Sequence, residues 1–571
     1  MRILVLGGLG EVGMNCLALE QGGEVLVIDC GVTFDDRGLG IDVVHPEFEA
    51  LDDYHVTGLF VTHGHEDHIG AIPYFLRRFD VPVYGPAYAL SLVRGRAAEH
   101  EILQHVDLRC VKPREPERVG SFVVEPIRVT HSIADATALA IRTDDGLVVH
   151  TGDFKFDDAP PDGETFDVAR FEELAREGVG LLFSDSTNID ASGPTGGEQG
   201  VGSALDDIVG SAQQAVVVAM FASNVHRLKM LGEIARKHGR RIVPLGRSVV
   251  THSRVAQATA RSTGEQAGRP YLEWPVDLVV PPERARELPK RQILAVATGS
   301  QGERAAALAR LGRGEHSAFD IGEGDVVVMS SRVIPGNEPG VVRVMNDLLR
   351  RGVELRTWWS NRAVHVSGHA HRQEQRRMIE MVQPRAFVPV HGTLHHLLRH
   401  AELAREIGVP EVTVLENGDI ATFGPVGHPS LPNGAANVGV RKEGRIRSGR
   451  VHVMGGRVLP HQVIAERTAL ASLGSVHVAV PLDDQGKLAG DIAVATRGVI
   501  DESADGELLA AARRDAHAAL QELLGVGGSM GKDRPDDATI SETARLAVRR
   551  ALARTLGFKP VTVASLVRVH R

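Results

Sequence analysis

Thr62-His63-Gly64-His65-Glu66-Asp67-His68 is the stretch on which the reading of this chain turns. Three histidines and an aspartate fall within six positions, between an apolar run at 57–62 (TGLFVT) and a helix-like segment at 69–79 (IGAIPYFLRRF). His63 and His65 stand two apart on an extended turn, so both imidazoles can face one ion. Asp67 and His68 open the next helix and can face a neighbouring position. Zinc takes imidazole nitrogen and carboxylate oxygen in such sites. Gly64 allows a tight turn and a close backbone approach.

One cluster does not complete a two-metal site, so further ligands are expected at other strand ends. His131 follows EPIRVT, Asp153 follows GLVVHTG and His391 follows AFVPV. Each stands just past an apolar run, where side chains converge at a sheet rim. The expected division is His63, His65 and His131 for one ion, Asp67, His68 and His391 for the second, and Asp153 bridging them. Two ions so placed would clamp the attacking and leaving oxygens of a displacement.

Outward from this stretch, the N-terminal third is strand-rich. Residues 2–6, 24–29, 121–129, 137–143, 146–153 and 178–185 read as short strands with few long helices between them. That pattern predicts two packed sheets flanked by helices rather than a doubly wound sheet. Residues 186–202 are polar and turn-rich and read as a linker or surface loop. The runs at 215–220, 241–246, 293–299 and 325–331 are parallel-type buried strands, with helices at 225–238 and 303–312. RAFVPVHG (385–392) returns to the first pattern, a strand ending on a histidine. The expectation is an α/β domain, 203–355, inserted into a first domain formed by 1–202 and 356–455. A small α+β domain follows at 456–571, with helices at 507–524 and 538–556 and a polar joint at 525–538.

Composition narrows the classes. The 571 residues are 43% hydrophobic and 24% charged, which excludes a disordered, collagen-like or coiled-coil chain. The net charge of −9 does not suit an arm-type nucleic-acid binder, although a local groove can still be basic. Three cysteines, Cys16, Cys30 and Cys110, cannot make a disulfide scaffold and suit a reducing compartment. There is no apolar run of about 18 residues to span a membrane. The opening MRILVLGGLGEVGMN reads as a strand and turn rather than a cleaved signal peptide, so a cytoplasmic protein is expected. GLGEVG lacks the full dinucleotide fingerprint, and no Walker loop occurs at 298–303 or 330–338.

With these motifs in view, the sequence resembles the metallo-β-lactamase superfamily, whose motif His63-Gly64-His65-Glu66-Asp67-His68 matches. More narrowly it resembles the β-CASP branch, which acts on nucleic acids, and the ribonuclease J family within it. Leu9–Asn15, Ser184-Asp185-Ser186-Thr187-Asn188, Ala297–Glu303, Ser330–Glu338 and Val366-Ser367-Gly368-His369-Ala370 carry the closer match. The resemblance implies an αββα sandwich with an inserted β-CASP α/β domain and a small C-terminal α+β domain. It implies a ribonuclease with 5′→3′ exonuclease and endonuclease activity on single-stranded RNA, preferably 5′-monophosphorylated, in RNA maturation and decay. Two Zn²⁺ are implied, with Mn²⁺ or Mg²⁺ as alternatives for activity. A homodimer or homotetramer and membership of an RNA degradation complex are the family expectation, with no membrane partner. Thr393 departs from the family, where an acidic residue is common.

The remaining candidates follow from chemistry and resemblance together. Asp185 can accept the second ring N–H of a histidine and fix its tautomer, or cap a helix. His369, beside Ser367 and Gly368, can hold the scissile phosphate or protonate the leaving oxygen. Asp67, Asp185 and His369 are thus the catalytic candidates. Ser330, Ser331, Ser367, Gly368, His369 and Ala370 are the candidates for RNA phosphate, against a reading of 298–303 and 330–338 as tight turns. Arg227, Arg247, Arg304 and Arg332 are placed to line a phosphate track. A DNA nuclease of the same branch and a small-molecule metallohydrolase share the ligand pattern and stand as alternatives.

Overall fold

The computed structural model describes the chain except for Asp36, Glu265, Pro335 and residues 427–436, 527–534 and 570–571. Most of the 525–538 stretch read as a joint therefore lies outside the described residues. The described chain divides into two compact units, Met1–Thr33 with Val44–Val451, and Phe34–Val43 with His452–Arg571.

The first unit is built on two mixed sheets. One has eight strands in the order Asn437–Arg445, Asp419–Val426, Arg2–Gly7, Cys16–Gln21, Glu24–Ile28, His55–Phe60, Val83–Gly85 and Leu108–Cys110. The other has seven, in the order Glu411–Val412, Ala386–Val390, Val179–Asp185, Gly146–His150, Thr137–Thr143, Phe122–Arg128 and Glu117–Val119. Strand alternation sorts their side chains. Leu181 and Phe183 join Ile3, Leu19, Leu26, Phe60, Phe122 and Ile141 between the sheets. Leu182, one step out of phase, packs with Phe171, Leu174, Met378 and Ile379 of the covering helices. This is the αββα sandwich.

A third sheet is wholly parallel: Arg241–Leu245, Ile293–Ala297, Val216–Ala219, Val326–Met329 and Glu354–Thr357. Its three central strands carry continuous apolar runs because both faces are covered, whereas the edge strand Glu354–Thr357 is polar and partly exposed. It lies in the chain between Val179–Asp185 and Ala386–Val390, which pair in parallel, Asp185 opposite Val390. The α/β sheet is thus an insertion between two neighbouring strands of the sandwich.

Two helices differ from their sequence reading. The helix read at 69–79 is only Ile72–Leu76, preceded by a separate short helix Glu66–Ile69. Pro73 lacks the N–H that would continue the first helix and stands at the start of the second. The helix expected at 303–312 begins at Ala307, because the Glu303 carboxylate turns back to accept from the Gln301 N–H.

In the second unit, strands Ala493–Arg497, Ser475–Leu482 and Val561–Arg568 form one sheet. Helices Gly506–Val526 and Asp537–Leu556 contribute Leu509, Leu520, Val548 and Leu552 to a core with Val476, Val478 and Val480. The helix His461–Leu473 precedes them.

Candidate metal centre

Strand ends assemble the site. His55–Phe60 pairs in parallel with Glu24–Ile28, Phe60 opposite Ile28, so Asp29 and Thr62 emerge side by side. The Thr62 N–H and hydroxyl donate to Asp29 Oδ1 and Oδ2, both at 2.8 Å. His65 caps the helix that carries Asp67 and His68. Asp153, Asp185 and His391 come from the ends of three adjacent parallel strands, and His131 from just beyond Phe122–Arg128. Gly64 lies close against the helix Ala87–Glu99: a Cβ there would stand 2.8 Å from Leu92 Cδ1 and 3.3 Å from the Ala89 Cα.

Ligand atoms of His63, His65, His131 and Asp153 lie within 4.8 Å of one another, as do those of Asp67, His68, Asp153 and His391. Asp153 belongs to both groups. The tautomers follow from the second ring nitrogens. The Thr62 hydroxyl proton goes to Asp29, so its oxygen accepts from His63 Nδ1 at 3.0 Å. His131 Nδ1 donates to the Gly368 carbonyl at 2.7 Å. Both Nε2 atoms therefore present lone pairs, 3.0 and 3.1 Å from His65 Nδ1. Three ring nitrogens converge with at most one proton among them, which suits a cation.

The second group behaves alike. His68 Nδ1 donates to Asp29 Oδ2 at 2.7 Å, so Nε2 carries the lone pair: it accepts from Asn15 Nδ2 at 3.0 Å and lies 3.3 Å from Asp153 Oδ2 and 3.7 Å from Asp67 Oδ2. His391 Nδ1 meets Asp153 Oδ1 at 2.8 Å, and its Nε2 is buried without a hydrogen-bond partner. These acceptors and the orphaned nitrogen fit a second ion, so the residues form two adjoining metal-binding groups of the kind used in two-metal catalysis.

Electrostatics agree. Burial, with the neighbouring imidazoles, pushes His63 and His131 well below the ordinary histidine value and His65 down to about 4, the neutral state a ligand needs. Burial opposes the charge on Asp153, but His391, His68 and His369 outweigh it and hold the carboxyl well below its usual range. For His68 burial is outweighed by Asp153, Asp29 and Asp67, and its value rises. The carboxylates thus draw positive charge into the pocket, and two dications would supply it.

His369 belongs to a third such group, with Asp153, Asp185 and His391, whose ligand atoms also lie within 4.8 Å of one another. Its Nδ1 lies 2.8 Å from Asp185 Oδ2 and 3.8 Å from Asp153 Oδ2. Nε2 has no hydrogen-bond partner among the described residues, and the side chain is 22% exposed. Asp185 is fully buried and also accepts from the Thr187 N–H and hydroxyl. Ser367 Oγ accepts from Asn188 Nδ2 and from the His369 N–H, leaving its own O–H to donate. Gly368 is a close-approach residue: a Cβ there would stand 2.8 Å from His131 Cε1.

Several expectations are corrected here. Ser330 is fully buried, its hydroxyl donated to the Val364 carbonyl at 2.6 Å and its own carbonyl accepting from Arg227 Nη1 at 2.6 Å. The Ala370 N–H is donated to the Phe154 carbonyl at 2.6 Å. Neither presents a free donor to a phosphate. Ser331 is buried and accepts from Gln301 Nε2 at 3.4 Å. Gln301 also ties 298–303 to 330–338 by accepting from the Ile334 N–H, so these stretches brace one another. Arg227 is buried rather than on a phosphate track, held by Glu198 through Nη2 at 2.8 and 3.0 Å. Residues 186–202 are not a surface linker: Asn188 reaches Ser367, Thr195 bonds Glu374, and Glu198 pairs with Arg227.

Comparison with known proteins bears on the whole chain. Residues 9–188 match the model of the metallo-beta-lactamase superfamily and 213–348 that of the ribonuclease J beta-CASP domain. Residues 361–414 match the Zn-dependent metallo-hydrolase RNA specificity domain and 462–569 the ribonuclease J C-terminal domain. Ribonuclease J of Synechocystis sp. is 39% identical over 88% of this chain and 76% of its own length. The chain belongs to the ribonuclease J family. Ribonuclease J of Sinorhizobium meliloti is 34% identical over 99% of this chain and 97% of its own, and that of Helicobacter pylori 36% over 83% and 67%.

In this ribonuclease J family member, Asp29 is the functional residue that sequence reasoning missed. It fixes His68 and Thr62, and through Thr62 the tautomer of His63. Its signal was present, since it follows the apolar run EVLVI as Asp153 follows GLVVHTG. Thr187 and Asn188, within the Ser184–Asn188 motif, hold Asp185 and Ser367 respectively. Thr393 stands before the helix Leu394–Ile407 and adds no side-chain cap.

Proposed function

We propose that the chain is a metal-dependent ribonuclease acting on single-stranded RNA in 5′→3′ exonucleolytic and endonucleolytic modes. It leaves 5′-phosphate and 3′-hydroxyl ends, in RNA maturation and decay. The observation that carries this reading is the convergence of six ligands around Asp153 with the His369–Asp185 pair at their side. His63, His65 and His131 would hold one ion, Asp67, His68 and His391 the other, with Asp153 shared between them. Zn²⁺ fits the imidazole and carboxylate donors, with Mn²⁺ or Mg²⁺ as alternatives for turnover. When bound, the ions lower the pKa of water and stabilise charge on the phosphate oxygens.

The chain's own groups do the rest. Asp67, whose side chain is 31% exposed, has a second carboxylate oxygen that would accept the proton shed by the attacking water. Asp185 Oδ2 holds the His369 Nδ1–H and aims Nε2 at the leaving 3′-oxygen, to which it delivers a proton. The Ser367 hydroxyl donates to phosphate, and Ser331 is the second candidate. Gly368 acts through its carbonyl on His131. Ser330 and Ala370 support these groups without touching RNA. A homodimer or homotetramer, a place in an RNA degradation complex and a cytoplasmic location belong to the same reading. The three free cysteines are in keeping with a reducing compartment, and among the described residues no helix is long and apolar enough to cross a membrane.

The test is a time course on one RNA labelled at its 5′ end or its 3′ end, with 5′-monophosphate and 5′-triphosphate forms. Early mononucleotide release from the 5′-monophosphate end supports the reading. Release first from the 3′ end, or equal rates on both 5′ forms, overturns its polarity. Cleavage of a matched DNA at the same rate favours the DNA-nuclease alternative.

A further inference from the structure

Aromatic residues are scarce in this chain, 4% of the total, and it has three tryptophans. Trp274 is buried, but of the consecutive pair Trp358 and Trp359 the first is half-buried and the second 50% exposed. Exposing an indole forfeits its burial, so a side-by-side pair at the surface asks for a use.

Topology says where the pair stands. Trp358 follows the strand Glu354–Thr357, and Ser330-Ser331-Arg332 follows the neighbouring strand Val326–Met329, with Met329 opposite Thr357. Exposed Phe221 follows Val216–Ala219, the next strand in the sheet. All three sit at the carboxyl edge of one parallel sheet, where open α/β sheets bind ligands. The loop from Trp358 continues into Ser367-Gly368-His369 and is anchored on the way by the Ser330 hydroxyl at Val364.

Cations meet the aromatics there. The Arg362 guanidinium carbon lies 3.6 Å from the Trp358 ring centre and that of Arg332 5.4 Å. Both arginines are exposed, and neither has a carboxylate partner among the described residues. Two unpaired guanidinium groups on an indole, with a second indole open to solvent, provide a stacking face and phosphate contacts in one patch. Single strands are held in this way, base on aromatic face and backbone on cations, whatever the sequence.

We propose that Trp358, Trp359, Arg332 and Arg362 form a platform for single-stranded RNA, on which an unpaired base stacks on Trp359 while the adjoining phosphates meet Arg332 and Arg362. Trp358 orients the two guanidinium groups. The platform rests on the ribonuclease reading, since it feeds the strand to the loop that carries His369.

The experiment uses the full chain in two settings. With metal, cleavage of an unstructured RNA oligomer is measured. With metal chelated, binding of the same oligomer is followed by anisotropy and by tryptophan fluorescence. The platform predicts quenching of the exposed indoles on binding. It predicts a roughly tenfold loss of affinity in Trp359→Ala, with KM rising and kcat changing less than about twofold, and recovery in Trp359→Phe. Arg362→Ala lowers affinity and reduces the salt dependence by about one counterion. Wild-type affinity in Trp359→Ala overturns the platform, as does an equal loss in the Ala and Phe variants, while wild-type cleavage leaves the ribonuclease reading standing. Failure of the wild-type chain to bind or cleave RNA overturns both.

Discussion

Replacing Asp29 by alanine removes a carboxylate that touches no proposed substrate, yet it reaches three groups at the metal centre. Asp29 is 2% exposed and accepts from the Thr62 N–H, the Thr62 hydroxyl and His68 Nδ1 at 2.8, 2.8 and 2.7 Å. Without it His68 loses the acceptor that fixes its tautomer and strengthens its Nε2 lone pair. Loss of such an outer partner costs about 10- to 100-fold in metal affinity, or roughly 1.4–2.8 kcal/mol. The Thr62 N–H, left buried and unpaired, adds a destabilisation of about 1–3 kcal/mol. Asparagine keeps the volume but points an amide N–H at one of three donors, so Asp29→Asn recovers only part of the loss. The assay is titration of the metal-free chain with Zn²⁺ against a chelating dye, alongside thermal unfolding. The ion held by Asp67, His68 and His391 should weaken by the full factor and its neighbour by less. Wild-type affinity for both ions in Asp29→Ala refutes the reasoning.

Three further outcomes are expected. Asp153→Ala should lose bound metal from both groups and nearly all RNA cleavage while keeping its circular dichroism, and two tightly bound ions in that variant would contradict the bridging role. Asp185→Asn should lower kcat on an RNA oligomer by about 10²- to 10⁴-fold with little change in metal content, because His369 loses the acceptor on Nδ1; unchanged kcat would remove His369 from proton transfer. Burial opposes the charge on Glu198, but Arg227 and Lys155 hold its carboxyl down to about 2. A depressed folded value gives stability that is present above the unfolded value of about 4.3 and lost as pH falls toward 2. The fall in thermal midpoint between about pH 5 and about pH 3 should therefore shrink in Glu198→Gln, whereas parallel profiles would contradict it.

Residues 62–68 made the metal chemistry legible because local spacing and turn context put several ligand types in one short segment. His131, Asp153 and His391 were legible by a different signal, an apolar run that stops on a ligand, and the sheet order brings those runs to one rim. The same signal stood at Asp29 and was passed over, because a lone aspartate after a strand is ordinarily a turn residue. The buried state of Ser330 and Arg227 was not legible. It depends on Glu198 and Val364, 29 and 34 positions away, meeting them across the packed domains. Residues 186–202 misled for a related reason. Glycine and polar residues mark turns, and this turn is filled by partners from 367–374 that no local pattern reveals.

Occupancy by two ions and RNA cleavage should rise and fall together. The chain should be stripped of metal, supplied with Zn²⁺ in steps, and assayed at each step for bound metal and for cleavage of a 5′-monophosphorylated single-stranded RNA. Two ions per chain should bind, and cleavage should rise with the second equivalent. Full cleavage by the metal-free chain, or after a single equivalent with the second site empty, would contradict the account.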